Sequence, residues 1–431
     1  MVADGGAPSP VSLSDALARL YARATFGIKL GLDAMRAACD RAGHPERAFD
    51  AVHVAGTNGK GSTCAMVAAS ARAAGLRTGL YTSPHLCTFA ERIQVDGAPL
   101  DERDLALALD RALRLAPEAT FFEVATLAAF IAFRDAGVEL AVVEAGLGGR
   151  LDATNVLESP RCTAVTSVGL DHTEQLGGTR ELIAIEKAHI AKQGAPMVLG
   201  ADLADVRGAI EGVTRAVGVA PRAVDDADAL PDLLPELRSA TGAPRLALRG
   251  AHQVHNARVA DLIASTLGLP TEARRRGVGD ARWPGRLEVV RDESGGDVLL
   301  DGAHNADGAA ALALALAQGT WRTPAAPIPT PATAMVFGAL LDKDAAAMLE
   351  LLAPQAGHML YVAPSARAAH APDALAQLAA GAACHDVATA RAAARRAVGP
   401  RGLVVICGSL YLVGEARAQL LGLARDPIVA L

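Results

Sequence analysis

Short apolar runs alternate with longer stretches in which apolar positions recur every three or four residues. The runs lie near 51–55, 78–82, 140–144, 163–168 and 196–199 and read as strands. Amphipathic stretches near 62–74, 102–115, 121–136, 179–192 and 254–267 read as helices. Strand and helix in alternation predict an α/β fold with a mostly parallel sheet. The rhythm then breaks at TEARRRGVGDARWPGRLE, residues 271–288, where Arg, Gly and Pro mix. A second alternating series follows at 298–301, 334–338, 359–363 and 403–407. The expected layout is an N-terminal domain over 1–279 and a C-terminal, Rossmann-like α/β domain over 280–431. TPAAPIPTPAT, residues 323–333, carries four prolines and reads as an exposed, semi-rigid loop. No internal repeat is visible.

Polar, glycine-rich segments follow these strands: GTNGKGST after 51–55, SPHL after 78–82, AGLGGRLDATN after 140–144 and GLDH after 163–168. The second series continues with DGAHN, ALLDKD and GSLYLVGEAR. Open α/β sheets bind ligands at the carboxyl ends of their strands. Loops of this kind in both halves point to a site between two facing domains.

Composition narrows the class. The chain has 431 residues, 51% hydrophobic but only 3% aromatic, so its core must be aliphatic. Its 41 basic and 47 acidic side chains leave a net charge of −6, without the basic excess of a nucleic-acid binder. Arg274-Arg275-Arg276 is the one three-residue basic run and reads as part of a solvated linker. The six cysteines have no C-x-x-C spacing and fit a reducing compartment. MVADGGAPSP lacks the basic start and apolar stretch of a signal peptide. The mostly apolar run Val124 to Phe133 is too short to span a bilayer. A cytoplasmic protein, by default a monomer, is expected.

VHVAGTNGKGST, residues 52–63, carries the most specific chemistry. Gly56, Gly59 and Gly61 allow close backbone approach to a ligand. A helix starting at Gly61 or Ser62 would aim its free N–H groups at the loop. Lys60 adds a charge, and Ser62 or Thr63 offers a hydroxyl to Mg²⁺. Strand, loop and helix together read as a P-loop-type mononucleotide site built from Gly56, Thr57, Asn58, Gly59, Lys60, Gly61, Ser62 and Thr63. The spacing departs from the usual Walker A motif, since no glycine lies six residues before the lysine.

This variant resembles the Mur ligase superfamily, and within it the folate branch, the dihydrofolate synthase/folylpolyglutamate synthases. FGIKLGLDAM, VAGTNGKGST, YTSPHL, ERIQV, TFFEVATLAAF, EAGLGGRLDATN, SVGLDHTEQLG, IEKAHIAK, GAHQVHNA, WPGRLE, LLDGAHN and CGSLYLVGEAR carry the resemblance, in family order and across most of the chain. Ala145, where the family often has Val, and His189, where Gly is common, depart from it.

The resemblance implies an ATP-dependent ligase. The γ-phosphoryl group of ATP passes to the carboxylate of dihydropteroate or a reduced folate, and L-glutamate attacks the acyl phosphate. It implies two Mg²⁺ ions, with Ser83, Glu144, His172 and Lys187 as metal residues and Lys60, Lys187 and His172 in catalysis. Lys187 would be carbamylated; taken alone it reads as a solvated helix lysine. Asn256, Arg286, Asp301 and His304 would hold the nucleotide, although DGAHN also fits an Asx-type turn. Phe122, Glu123 and Asp152 would lie near the pterin; alone, Phe122 reads equally as core and Asp152 as a turn cap. A Mur-type cell-wall ligase is the near alternative, and the phosphate loop begins too early for that branch's extra N-terminal domain. A GTP switch is disfavoured because no N-K-x-D segment occurs. Whether one or both folate reactions are catalysed stays open.

Overall fold

The structure, a computed structural model, describes residues 11–23, 31–238, 246–322, 332–365 and 368–426. The MVADGGAPSP start, residues 26–30 of FGIKLGLDAM and residues 323–331 of the proline-rich stretch lie outside the described residues.

The N-terminal half builds eight strands: β1 (Asp50–Ala55), β2 (Thr78–Tyr81), β3 (Ile93–Val95), β4 (Ala98–Pro99), β5 (Leu140–Glu144), β6 (Cys162–Val165), β7 (Met197–Leu199) and β8 (Arg222–Ala223). They form one sheet in the order β4-β3-β2-β5-β1-β6-β7-β8. β1 is central and parallel to both neighbours, with Val52 opposite Val142 and Cys162. Helices cover both faces, so Val52, Val54, Val142 and Val143 are fully buried. Each such side chain stabilises by roughly 1.5–3 kcal/mol relative to exposure. One face packs under the helices Glu102–Leu115 and Phe121–Asp135, the other under Lys60–Ala73 and Ala251–Thr266.

The C-terminal half builds β9 (Glu288–Arg291), β10 (Asp297–Leu300), β11 (Thr333–Phe337), β12 (His358–Tyr361), β13 (Ala382–Ala383) and β14 (Leu403–Cys407). Their order is β13-β12-β11-β14-β10-β9, parallel except for β9. The α/β fold with two mostly parallel sheets is therefore as expected. The antiparallel strands β3, β4 and β9 were not anticipated; they are two to four residues long, too short to show a period.

Residues 271–280, part of the expected break, form a helix packed along Lys60–Ala73. The basic run is correspondingly part of a helix and not a linker, with Arg275 and Arg276 exposed. Arg274 is buried, and its Nε lies 2.8 Å from Oδ1 of the fully buried Asp261. Gly277 does not break this helix; it lets the helices meet, since a Cβ there would lie 2.2 Å from Ser70 N. The helix expected over 179–192 ends at Ala188, where His189 Nδ1 donates to Ile185 O at 2.7 Å and closes the last turn.

Candidate active site

The phosphate loop follows β1 because the chain must leave the sheet at Ala55 and re-enter the layer as the helix Lys60–Ala73. Gly59, at φ 84°, makes that reversal in a conformation that disfavours side chains. A Cβ there would also lie 2.2 Å from Asn256 Oδ1, so Asn256 sits directly over the turn. Gly61 is pinned from the other side, where Trp283 Nε1 would lie 2.8 Å from a Cβ. The loop is held below by Ser167, whose Oγ accepts from Asn58 N at 2.8 Å.

A cleft of about 570 Å³ opens over this loop between the two sheets' carboxyl edges. It is lined by Gly56, Thr57, Asn58, Gly59, Lys60, Gly61, Ser62, Ser83, Glu144, His172, Lys187, Asn256, Arg286, Asp301 and His304, fifteen of the residues expected from sequence. Of the hydroxyl pair, Ser62 lines the cleft and Thr63 does not; Thr63 is fully buried, with no partner for its Oγ1.

Lys60 curls over its own loop, donating to Gly56 O at 3.0 Å and Thr57 O at 3.2 Å. Its Nζ lies 3.9 Å from Glu144 Oε1. Glu144 ends the buried strand β5, and its Oε2 accepts from Ser83 N at 3.2 Å. Burial raises the Glu144 pKa, against the lowering pull of Lys60 and the Ser83 N–H. A buried carboxylate with its nearest ammonium at that distance is chemically suited to a further cation.

Lys187, on the helix Arg180–Ala188, points inward and donates to Gly56 O at 3.0 Å. It is 3% exposed, which overturns the solvated-lysine alternative. Burial, with Lys60 nearby, lowers its pKa to about 7. His172 sits in the left-handed region, φ 51°, beside the cleft. Burial lowers its pKa to about 4 against the pull of Asp171, so the imidazole is neutral, the form that binds metals. Among the described residues no three His, Cys, Asp or Glu cluster as a metal cage. Ser83 and Glu144 bring oxygen donors to the cleft, the kind Mg²⁺ takes in small number when phosphates supply the rest; His172 is a softer donor, and the Lys187 amine donates to Gly56 O.

The C-terminal lobe contributes the opposite wall. Asp301 holds its own loop to the inter-lobe segment, accepting from Ala303 N and Leu287 N at 2.9 Å each. Arg286 lies against Gly302, where a Cβ would be 2.2 Å from its Nη1. His304 Nδ1 donates to Gly302 O at 2.8 Å, and burial lowers its pKa to about 4.

Phe122, Glu123 and Asp152 do not line the cleft. Phe122 abuts its floor: a Cβ on Gly146 would lie 2.4 Å from the Phe122 ring. Glu123 is engaged locally, its Oε2 accepting from both Thr120 N and Thr120 Oγ1 at 2.8 Å in a capping box. Asp152 is buried, accepting from Leu147 N at 2.8 Å and Thr154 N at 3.0 Å, so its turn-capping role is real. The Thr154 hydroxyl also donates to Asp152 and lies 2.8 Å from His53 Nε2.

Two further charged residues, from the GLDH and ALLDKD loops, join the site. Asp171 and Lys343 meet across the gap at 2.6 Å, both nearly buried. Burial opposes the Asp171 charge, yet His172, Lys343 and His304 hold its carboxyl well below the usual range. Their loops, GLDH and ALLDKD, were marked by position, but nothing in either loop names the other as its partner.

Comparison with known proteins agrees with this geometry. Residues 54–207 match the Mur ligase middle domain, and residues 285–410 match the Mur ligase, glutamate ligase domain. Two α/β lobes around a phosphate loop thus define an ATP-dependent ligase of the Mur type. The chain is 37% identical to the Bacillus subtilis dihydrofolate synthase/folylpolyglutamate synthase over 366 residues, 78% of this chain and 82% of that one. It is similar to Escherichia coli FolC in complex with DHPP and ADP, at TM-score 0.81 and 28% identity, covering 95% of this chain and 97% of that one. It is equally similar to the Yersinia pestis bifunctional folylpolyglutamate synthase/dihydrofolate synthase complexed with AMPPNP and Mn ion, at TM-score 0.80 and 31% identity, covering 95% and 98%. The chain belongs to the dihydrofolate synthase/folylpolyglutamate synthase family. No helix among its described residues is long and apolar enough to cross a membrane.

Proposed function

We propose that the enzyme adds L-glutamate to dihydropteroate, forming dihydrofolate, and to reduced folates, extending their glutamate tails. One observation carries this reading: phosphate loop, buried carboxylate and buried lysine converge in a single cleft between lobes. The relatives' names supply the acceptor class, since DHPP and ADP occupy the Escherichia coli neighbour.

A carboxylate is a poor electrophile, and transfer of the γ-phosphoryl group turns its oxygen into a leaving group. The uncharged α-amine of glutamate then attacks the acyl carbon; the C–N bond forms, phosphate departs and the amine loses its proton. Lys60, Arg286 and the N–H groups of 59–61 neutralise the migrating charge. Asn256, Asp301 and His304 frame the nucleotide. The opposed lobes exclude water from the acyl phosphate. Ser83, Glu144 and His172 would hold Mg²⁺, which when bound supplies charge neutralisation on the phosphates. A second Mg²⁺ would lie near Lys187.

We place a carbamate on Lys187. Burial lowers its pKa and so favours the uncharged amine, the form that reacts with CO₂. Phe122 and Asp152 shape the acceptor's end of the cleft, the second through the 147–154 loop. We place the inter-domain division at 279/280, in the last turn of the helix Thr271–Asp280. The six cysteines are free thiols, in keeping with a cytoplasmic enzyme working as a monomer on small molecules.

The test is acceptor-dependent ADP release with dihydropteroate, tetrahydrofolate and a muramyl nucleotide in parallel. Turnover with the two pterins supports both activities, and turnover with one restricts the enzyme to it. Turnover with the muramyl nucleotide alone overturns the assignment.

A further inference from the structure

Asn305 opens the helix Ala306–Gln318 in the C-terminal lobe, and its Oδ1 accepts from Gly308 N at 2.9 Å. A helix cap requires nothing more of an asparagine, since Asp and Ser cap equally well. The amide nitrogen does something else. Asn305 Nδ2 donates to Asn58 Oδ1 at 3.2 Å and to Asp171 Oδ2 at 3.2 Å, both on the N-terminal lobe. Asn58 Nδ2 returns a longer bond to Asn305 Oδ1 at 3.4 Å. Asn305 is 7% exposed, so its end of these bonds is largely sheltered from water.

Asn58 occupies the centre of the phosphate loop, immediately before Gly59. Its backbone is fixed from below, with Thr166 Oγ1 and Ser167 Oγ donating to Asn58 O at 2.7 and 2.9 Å. Its side chain is fixed from above by Asn305 alone among the amide partners on the opposite lobe. Asp171, the other acceptor, is also the partner of Lys343. One amide therefore joins three segments: the phosphate loop, the GLDH loop and the first turn of a C-terminal-lobe helix.

We propose that Asn305 is a positioning residue that ties the conformation of the phosphate loop to closure of the lobes. The helix N-terminus moves with the C-terminal lobe, so the bonds to Asn58 and Asp171 exist only when the lobes are together. Closure then presents the loop in its binding geometry, and nucleotide binding in turn favours closure. Opening releases the Asn58 side chain and loosens the loop. The inference rests on the assignment of residues 56–61 to the phosphates of ATP.

The test uses the full chain with Asn305→Ser and Asn305→Asp, both competent caps, and Asn305→Ala, which is not. ADP release is measured against ATP concentration at saturating acceptor and glutamate, alongside thermal melting. The serine variant should melt within about 2 °C of wild type. Its KM for ATP should rise about tenfold, because a smaller closed fraction lowers apparent affinity in proportion. The aspartate variant should lose more, since its carboxylate faces Asp171. Combined with Asn58→Ala, Asn305→Ser should add little further loss, as expected of two groups sharing one bond. Unchanged KM in both cap-competent variants, or losses that multiply with Asn58→Ala, would reduce Asn305 to a cap and overturn the proposal. Wild-type protein without acceptor-dependent ADP release would instead remove the ATP reading on which it rests.

Discussion

The two lobes share an architecture and divide the work unequally. In the N-terminal lobe the reactive groups are held from within. Lys60 and Lys187 both donate to Gly56 O, and Glu144 accepts from Ser83 N. In the C-terminal lobe the informative side chains reach outward: Lys343 pairs with Asp171, and Asn305 with Asn58. On the proposed function, one lobe holds the phosphates and the other covers them. The contrast teaches that binding and commitment are encoded separately, by contacts inside a lobe and contacts between lobes.

The comparison can be broken most severely at Lys60. Lys60→Ala removes the cation of the 56–61 loop and should lower kcat/KM by about 10²–10³, with the melting temperature nearly unchanged. A loss below about threefold would deny the N-terminal lobe its role. Lys187→Ala comes next, with a loss of roughly 10²-fold, the scale of removing a supporting metal-site group. A short carboxylate added to that variant should restore part of the turnover; undiminished activity without it would reject the lysine's role.

A smaller effect is expected across the gap. Lys343→Met should lower kcat/KM by about tenfold and, with Asp171→Asn, should show a nonadditive double-mutant cycle. Additive losses would mean that the pair does not couple the lobes. The smallest effect sharpens the claim that the N-terminal lobe is internally fixed. His53 is fully buried on β1, and burial lowers its pKa from 6.5 to about 3. Between those values the unfolded chain binds more protons, so stability is fully present above 6.5 and is lost as pH falls toward 3. The slope should approach about 1.4 kcal/mol per pH unit at most, and His53→Gln should flatten it. Denaturant melts of both proteins at pH 5 and 7.5 with equal differences would contradict the buried, neutral imidazole.

Much of the site was legible before the fold was known. Gly56, Gly59 and Lys60 form a local pattern, and a phosphate loop is a local structure. Strand ends were legible too, so Ser83, Glu144 and His172 could be placed at the carboxyl edge of one sheet and Asp301 at that of the other. The Thr120–Glu123 capping box was legible too, since its partners stand three residues apart in the chain. The 271–280 helix was misread for the opposite reason. Its glycines and arginines are breakers and solvated charges by local rules, but Gly277 touches Ser70 and Arg274 meets Asp261.

The sequence by itself determined the alternation of strand and helix, the phosphate loop and the class of chemistry, because these depend on residues adjacent in the chain. Tertiary structure alone decided that Lys187 is buried with a lowered pKa, that Ser62 rather than Thr63 faces the cleft, and that Asp171 finds Lys343. Those facts depend on desolvation and on distances between residues up to 172 positions apart, and no local pattern encodes either.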